Sequence, residues 1–161
     1  MRRPKPLFAV AICAAAVPSP ALAHWSDVIV DTPGKGGPAC IALTNEATSE
    51  TIGYLKMDRG DLGRDEIALI FANLSWSIEE GDDIGMLDLV HGASAARISP
   101  IAMKSALLFY MNPDAIADWV AENPGDTFAL YRHGKLILRL PSEGFQEAVR
   151  AVRNCAGREF R

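Results

Sequence analysis

Between residues 28 and 110 the chain reads as short runs of apolar and β-branched residues separated by Gly, Asp, Asn and Pro. Runs of this kind, bounded by turn formers, are the signature of strands joined by tight connections. They predict strands at 28–30, 40–44, 51–57, 67–74, 84–90, 96–101 and 107–110. The stretches "MDRGDLGRDE" (57–66) and "EEGDD" (79–83) are polar, Gly-containing breaks of hairpin length. The period then changes. In "NPDAIADWVAENPG" (112–125) Asn112 is an N-cap, Pro113 takes the first helical position, Ile116, Trp119 and Val120 share a face, and Pro124-Gly125 ends the helix. Strands at 127–132 and 135–140 follow, joined across His133-Gly134 as a tight hairpin. Ser142 is expected to open a terminal helix in which Phe145, Ala148, Val149 and Val152 recur at helical spacing and define one buried stripe. Cys155 lies three residues beyond Val152, beside that stripe, and is expected to face the sheet. The predicted fold is a β-rich α+β domain: an antiparallel sheet or small sandwich with one mid-chain helix and a C-terminal helix.

The first residues indicate the compartment. Arg2, Arg3 and Lys5 form a positive n-region, residues 7–17 an apolar h-region, and Ala21-Leu22-Ala23 a small-residue cleavage site; together they read as a secretory signal peptide. The apolar run falls short of the roughly 20 residues that a membrane-spanning helix needs, and no later stretch is both long and uncharged. Residues 1–23 are expected to be removed, leaving 24–161 as a single β-rich globular domain. Cys13 leaves with the peptide. Two cysteines, Cys40 and Cys155, then remain in a compartment where thiols oxidise, and the even count predicts a disulfide that staples the terminal helix to an early strand.

Two stretches, "NLSWSIEEG" (73–81) and "LRLPSEGFQEAVRAVRNC" (138–155), resemble small exported proteins of α-proteobacteria that are distantly similar to the invasion-associated locus B family. In such proteins a late strand and helix end in a cysteine that pairs with one near the mature N-terminus. Leu138, Leu140, Ser142, Ala148 and Cys155 match that pattern, and Trp76 matches the earlier stretch. The resemblance implies an exported, disulfide-stapled fold; it speaks to compartment and architecture rather than to activity.

Charge narrows the function classes. Loss of Arg2, Arg3 and Lys5 leaves 13 basic against 20 acidic residues, a net −7. Nucleic-acid affinity comes mostly from Lys and Arg neutralising phosphates, and anionic membrane surfaces attract the same residues, so neither is an expected partner.

Candidate chemistry is sparse. "HGASAA" (91–96) nearly spells a nucleophile elbow around Ser94, but a strand rather than a helix is expected after it, so a hairpin turn is the reading. "PGKGGP" (33–38) has phosphate-loop residues in the wrong order, with no Ser or Thr after the lysine. Arg59-Gly60-Asp61 spells an adhesion tripeptide at an expected hairpin tip. The acidic runs Asp58, Asp61, Asp65, Glu66 and Glu79, Glu80, Asp82, Asp83 lack the alternate spacing of a calcium loop. Trp25, Trp76 and Trp119 are expected in the core. Cleavage after Ala23 would make His24 the first residue, offering an α-amine and an imidazole to Cu(II), with His91 or His133 as the second imidazole of a histidine brace. The favoured function is an exported binding or interaction protein with no cofactor, whose partner is an envelope protein or a small ligand. The alternatives are a small hydrolase and a Cu(II)-binding protein.

Overall fold

The computed structural model describes residues 24–25, 29–31, 39–45, 50–58 and 66–159. The signal-peptide reading at 1–23, the 33–38 loop and the Arg59-Gly60-Asp61 tripeptide lie outside the described residues. Ten strands and two helices are described: β1 (Ile29–Asp31), β2 (Ala39–Asn45), β3 (Thr51–Asp58), β4 (Ile67–Asn73), β5 (Leu87–His91), β6 (Ser94–Ile98), β7 (Ile101–Met103), β8 (Ala106–Met111), α1 (Pro113–Glu122), β9 (Thr127–Arg132), β10 (Lys135–Pro141) and α2 (Phe145–Glu159). All strand pairings are antiparallel. They form a six-stranded sheet in the order β1-β2-β3-β4-β8-β7 and a four-stranded sheet in the order β10-β9-β5-β6. The domain is therefore β-rich α+β, with one mid-chain helix and one C-terminal helix, as the hydrophobic pattern predicts.

Local chemistry explains where the elements begin and end. Asn112 is extended and its Oδ1 accepts from the amides of Asp114 and Ala115, so α1 starts on a side-chain cap with Pro113 at the first position. At its other end Asn123 Nδ2 donates to the Trp119 carbonyl, and Pro124 cannot continue the helix. The β9–β10 hairpin turns on His133 and Gly134, whose φ values of 49° and 75° give the left-handed pair that such a turn requires.

Three sequence expectations are corrected. The run 96–101 is not one strand: the chain leaves the four-stranded sheet after Ile98 and joins the six-stranded sheet at Ile101. Pro100, which has no amide proton and a fixed φ, lies at the crossing. The strand expected over 84–90 starts only at Leu87, because Asp83 Oδ1 accepts from the Gly85 amide in a turn where Gly85 has φ 73°. Ser142 does not open α2; the helix begins at Phe145 and the serine hydroxyl points elsewhere.

One core joins both sheets and both helices. The α2 stripe of Phe145, Ala148, Val149, Val152, Cys155 and Ala156 is buried, and α2 packs on β2 and β3. There Cys155 forms a disulfide with Cys40, with Cα atoms 6.0 Å apart and 115 residues between them in sequence. Trp25 is 4% exposed, and its indole nitrogen donates to the Pro141 carbonyl at 3.2 Å. Trp76 and Trp119 are half-buried against the core. No helix of the described residues is long and apolar enough to cross a membrane.

Candidate functional site

A buried polar pair, His91 and Ser142, lies where β5, α1, β10 and α2 meet. β5 and β6 are joined by Gly92 and Ala93, and the pair His91↔Ser94 closes that hairpin. Alternation along β5 turns Leu87, Leu89 and His91 inward, and His91 pairs in register with Phe128 of β9. The same alternation that fills the core thus places one polar ring in it: His91 is 1% exposed. Its centroid is 5.0 Å from that of Phe128 and 5.8 Å from that of Trp119. The aromatic contacts continue from Phe128 to Phe145 at 4.8 Å and from Phe145 to Trp25 at 5.1 Å.

Two loops are pressed together beside this ring. Gly92 has φ 57°, and a Cβ on it would lie 2.4 Å from the Pro124 carbonyl oxygen; a Cβ on Gly125 would lie 2.7 Å from the Gly92 nitrogen. Only glycine fits at either position without moving backbone. That close approach fixes the Gly125 carbonyl over Ser142. Ser142 Oγ is 2.9 Å from Gly125 O and 3.0 Å from His91 Nε2, and the Ser142 amide donates to the Asp126 carbonyl.

The proton positions follow from what each atom can do. Gly125 O only accepts, so the single Ser142 hydroxyl proton goes to it, and Ser142 Oγ accepts from Nε2–H of His91. Nδ1 then holds the lone pair, and it is buried with no hydrogen-bond partner. The other tautomer would set two oxygens against each other at 2.9 Å and bury an N–H at Nδ1 without an acceptor. A serine nucleophile must donate its proton toward the base. Here the polarity is reversed: the histidine donates to the serine, and the serine to a carbonyl.

Around this relay a cavity of about 780 Å³ opens, lined by His91, by Val120 and Ala121 of α1, by residues 124–126, and by residues 141–147. The volume lies within the ~300–1,000 Å³ of small-molecule sites. Its apolar surfaces come from Val120, Pro124, Pro141 and Phe145. Its charged residues are Asp126, Glu143 and Glu147, all exposed, and no Lys or Arg is among the described lining residues.

The sequence-level candidates fall as follows. Ser94 sits at the start of β6, between a turn and a strand, and its Oγ accepts from Trp119 Nε1 at 2.9 Å. Glu79 N bonds the carboxylate of Asp82, so that acidic turn binds its own backbone. Among the described residues no three His, Cys, Asp or Glu side chains come together as a metal set. His24 precedes Trp25, whose amide donates to the Glu143 carbonyl at the cavity, so His24 and His91 lie toward the same end of the four-stranded sheet. His133 is at the opposite end of the β9–β10 hairpin from Pro141, about 20 Å away at ~3.4 Å per residue. Of the two imidazoles named for a brace, the fold thus carries His133 away from His24 and buries His91 with Nε2 engaged by Ser142. The pairing of His91 with Ser142, 51 residues apart, has no local signature in the sequence; the clue available was the pair of tight glycines at 92 and 125. No family model, curated protein or solved structure matches the chain.

Proposed function

We propose that this is an exported binding protein, without recognisable catalytic machinery, that takes a small organic cation with an apolar body into the cavity beside His91 and Ser142. The observation that carries the reading is the lining itself: apolar residues together with three exposed carboxylate residues, and no Lys or Arg among the described lining. An amine or guanidinium would meet opposite charge while its hydrocarbon part lies against Pro124 and Pro141. The relay supports binding rather than turnover, because its hydrogen bonds run away from Ser142 as a nucleophile and hold the cavity wall rigid. Export is supported by the charged and apolar pattern of residues 1–23, and by a disulfide of the kind that persists in oxidising compartments.

Isothermal titration calorimetry of the mature protein, with phenethylamine and with phenylacetate, tests the reading. The two probes share a ring and differ in the sign of their charge. The amine is expected to bind and the acid not. Glu143→Gln with Glu147→Gln should weaken amine binding several-fold, more at low salt than at high. Equal binding of amine and acid, or amine binding unaffected by the paired substitution, would remove the ligand class.

A further inference from the structure

The six-stranded sheet is apolar on both faces. Its inner face carries Leu55, Leu69, Phe71 and Leu107, all buried in the shared core, with α2 and β10 packed on β2 and β3; Leu140 of β10 approaches Gly53 there, and Cys155 meets Cys40. The residues that alternate with these point the other way. On that outer face register aligns Tyr54 of β3, Ile70 of β4, Leu108 of β8 and Ile101 of β7 in one row, flanked by Ile52, Tyr110 and Met103. Ile101 is 54% exposed, Tyr110 45% and Met103 39%, and none of these outer residues belongs to the core or packs against it.

The four-stranded sheet shows what a solvated face of this protein looks like. Its outer positions carry Asp88, Arg97, Tyr131 and Arg139 among Val90, Ala95, Ala129 and Leu136, with Arg97 bonded to Asp88. Antiparallel sheets with one face in water alternate in that way. The outer face of the six-stranded sheet carries no such alternation across its central strands, and contiguous exposed apolar patches are where proteins dock partners.

We infer that a second copy of this chain docks on the outer face of the six-stranded sheet, making a symmetric dimer with the two sheets face to face. Six strands at a spacing of about 4.8 Å, averaging about six residues at ~3.3 Å each, make a face of roughly 24 by 20 Å. That is about 500 Å² per copy and about 1,000 Å² in a symmetric pair, the floor for a biological interface and short of the ~1,200 Å² of stable ones, so the dimer is a weak, concentration-dependent one. The charged residues on this face within the described strands are Lys56 and Asp58, 3.8 Å apart on β3, and Asp31, which register on Ala39 places at the β1 edge, outside the row of Tyr54, Ile70, Leu108 and Ile101. The row of Tyr54, Ile70, Leu108 and Ile101 is itself uncharged, so two copies of this acidic protein meet there without the repulsion that their net charge sets up elsewhere. Ile, Leu, Met and Tyr with depleted charge is also the composition of a homodimer interface, and sheets of the same twist pack face to face with strand directions about 30° apart. A lipid surface is the poorer occupant: membrane-docking faces carry Lys and Arg around the apolar patch, and here Lys56 is paired.

Sedimentation velocity on the mature protein, over a dilution series, tests the dimer. The wild type should approach twice the monomer mass at the top of the series and fall toward the monomer on dilution. Ile70→Lys with Leu108→Lys should give a monomer with unchanged circular dichroism and an intact intramolecular disulfide. Because that pair lies mid-sheet, Ile101→Lys at the exposed edge provides a milder second variant, expected to weaken association at least tenfold. Arg139→Glu, on the outer face of the other sheet, should leave the mass unchanged. A wild type that is monomeric throughout the series overturns the inference, as does a dimer whose dissociation is unchanged in Ile101→Lys. Monomeric protein that floats with phosphatidylethanolamine vesicles would assign the face to lipid and overturn it equally.

Discussion

Ser142→Ala removes one oxygen and two hydrogen bonds, and the two partners left behind are in different surroundings. Gly125 is exposed, so water takes over its carbonyl; His91 is 1% exposed, so its Nε2–H is stranded among Phe128 and Trp119. A lost hydrogen bond costs about 1 kcal/mol and a buried orphan about 1–3 kcal/mol, which puts the variant about 2–4 kcal/mol below the wild type. His91→Phe behaves differently. It keeps a ring in the same slot, removes the unpartnered Nδ1 together with Nε2, and leaves the Ser142 hydroxyl on Gly125 O, so its cost should be about 1 kcal/mol. In the His91→Phe background Ser142→Ala gives up only the bond to Gly125 and should also cost about 1 kcal/mol. The cycle thus predicts a coupling of about 1–3 kcal/mol. Urea unfolding of the disulfide-bonded protein, followed by tryptophan fluorescence at neutral pH, measures all four corners. An equal cost for Ser142→Ala in both backgrounds, or His91→Phe as the costlier single variant, would refute the assigned tautomer and the relay.

The Cys40–Cys155 bond closes a loop of 115 residues, for which the chain-entropy account gives about 5 kcal/mol; Cys155→Ser should lose several kcal/mol in urea unfolding, and a loss no larger than that of an ordinary surface substitution would contradict it. Asn112→Ala strips the cap from two α1 amides and should cost about 1 kcal/mol, measured the same way, whereas Asn112→Asp should cost little. Gly125→Ala drives a Cβ to 2.7 Å from the Gly92 nitrogen and should cost about 1–3 kcal/mol as the two loops separate; unchanged stability would show that the loops are not held in contact.

Features governed by neighbouring residues were legible in the sequence. Asn112-Pro113 announces the start of α1, His133-Gly134 supplies the two left-handed residues of its hairpin, and the helical spacing from Phe145 to Val152 places Cys155 on the face that meets Cys40. Features decided by distant packing were not. Residues 96–101 look like one strand because Ala96, Ile98 and Ile101 are good strand formers, yet the chain changes sheets there, which depends on β8 and β5 being available as partners. Ser142 has the composition and position of a helix cap, but the Gly125 carbonyl and the His91 imidazole claim its hydroxyl first. The site went unseen because its three polar members come from three separate elements and become neighbours only through the contact of Gly92 with Gly125. The apolar outer face was written openly in "IALIFA" and "ALLFY", where both alternating sets are hydrophobic. Such runs read simply as strands until register shows which set faces away from the core.

Whether the cavity beside His91 and Ser142 receives a cationic ligand is read from the amide chemical shifts of ¹⁵N-labelled protein spanning residues 24–161, titrated with phenethylamine. Saturable shifts are expected at Gly125, Ser142, Gly144 and Gln146, residues that line the cavity, while the amides of Tyr54 and Ile70 on the outer face of the six-stranded sheet stay still. Shifts confined to that outer face, or none at the cavity residues at ligand concentrations that saturate the calorimetric signal, would contradict it.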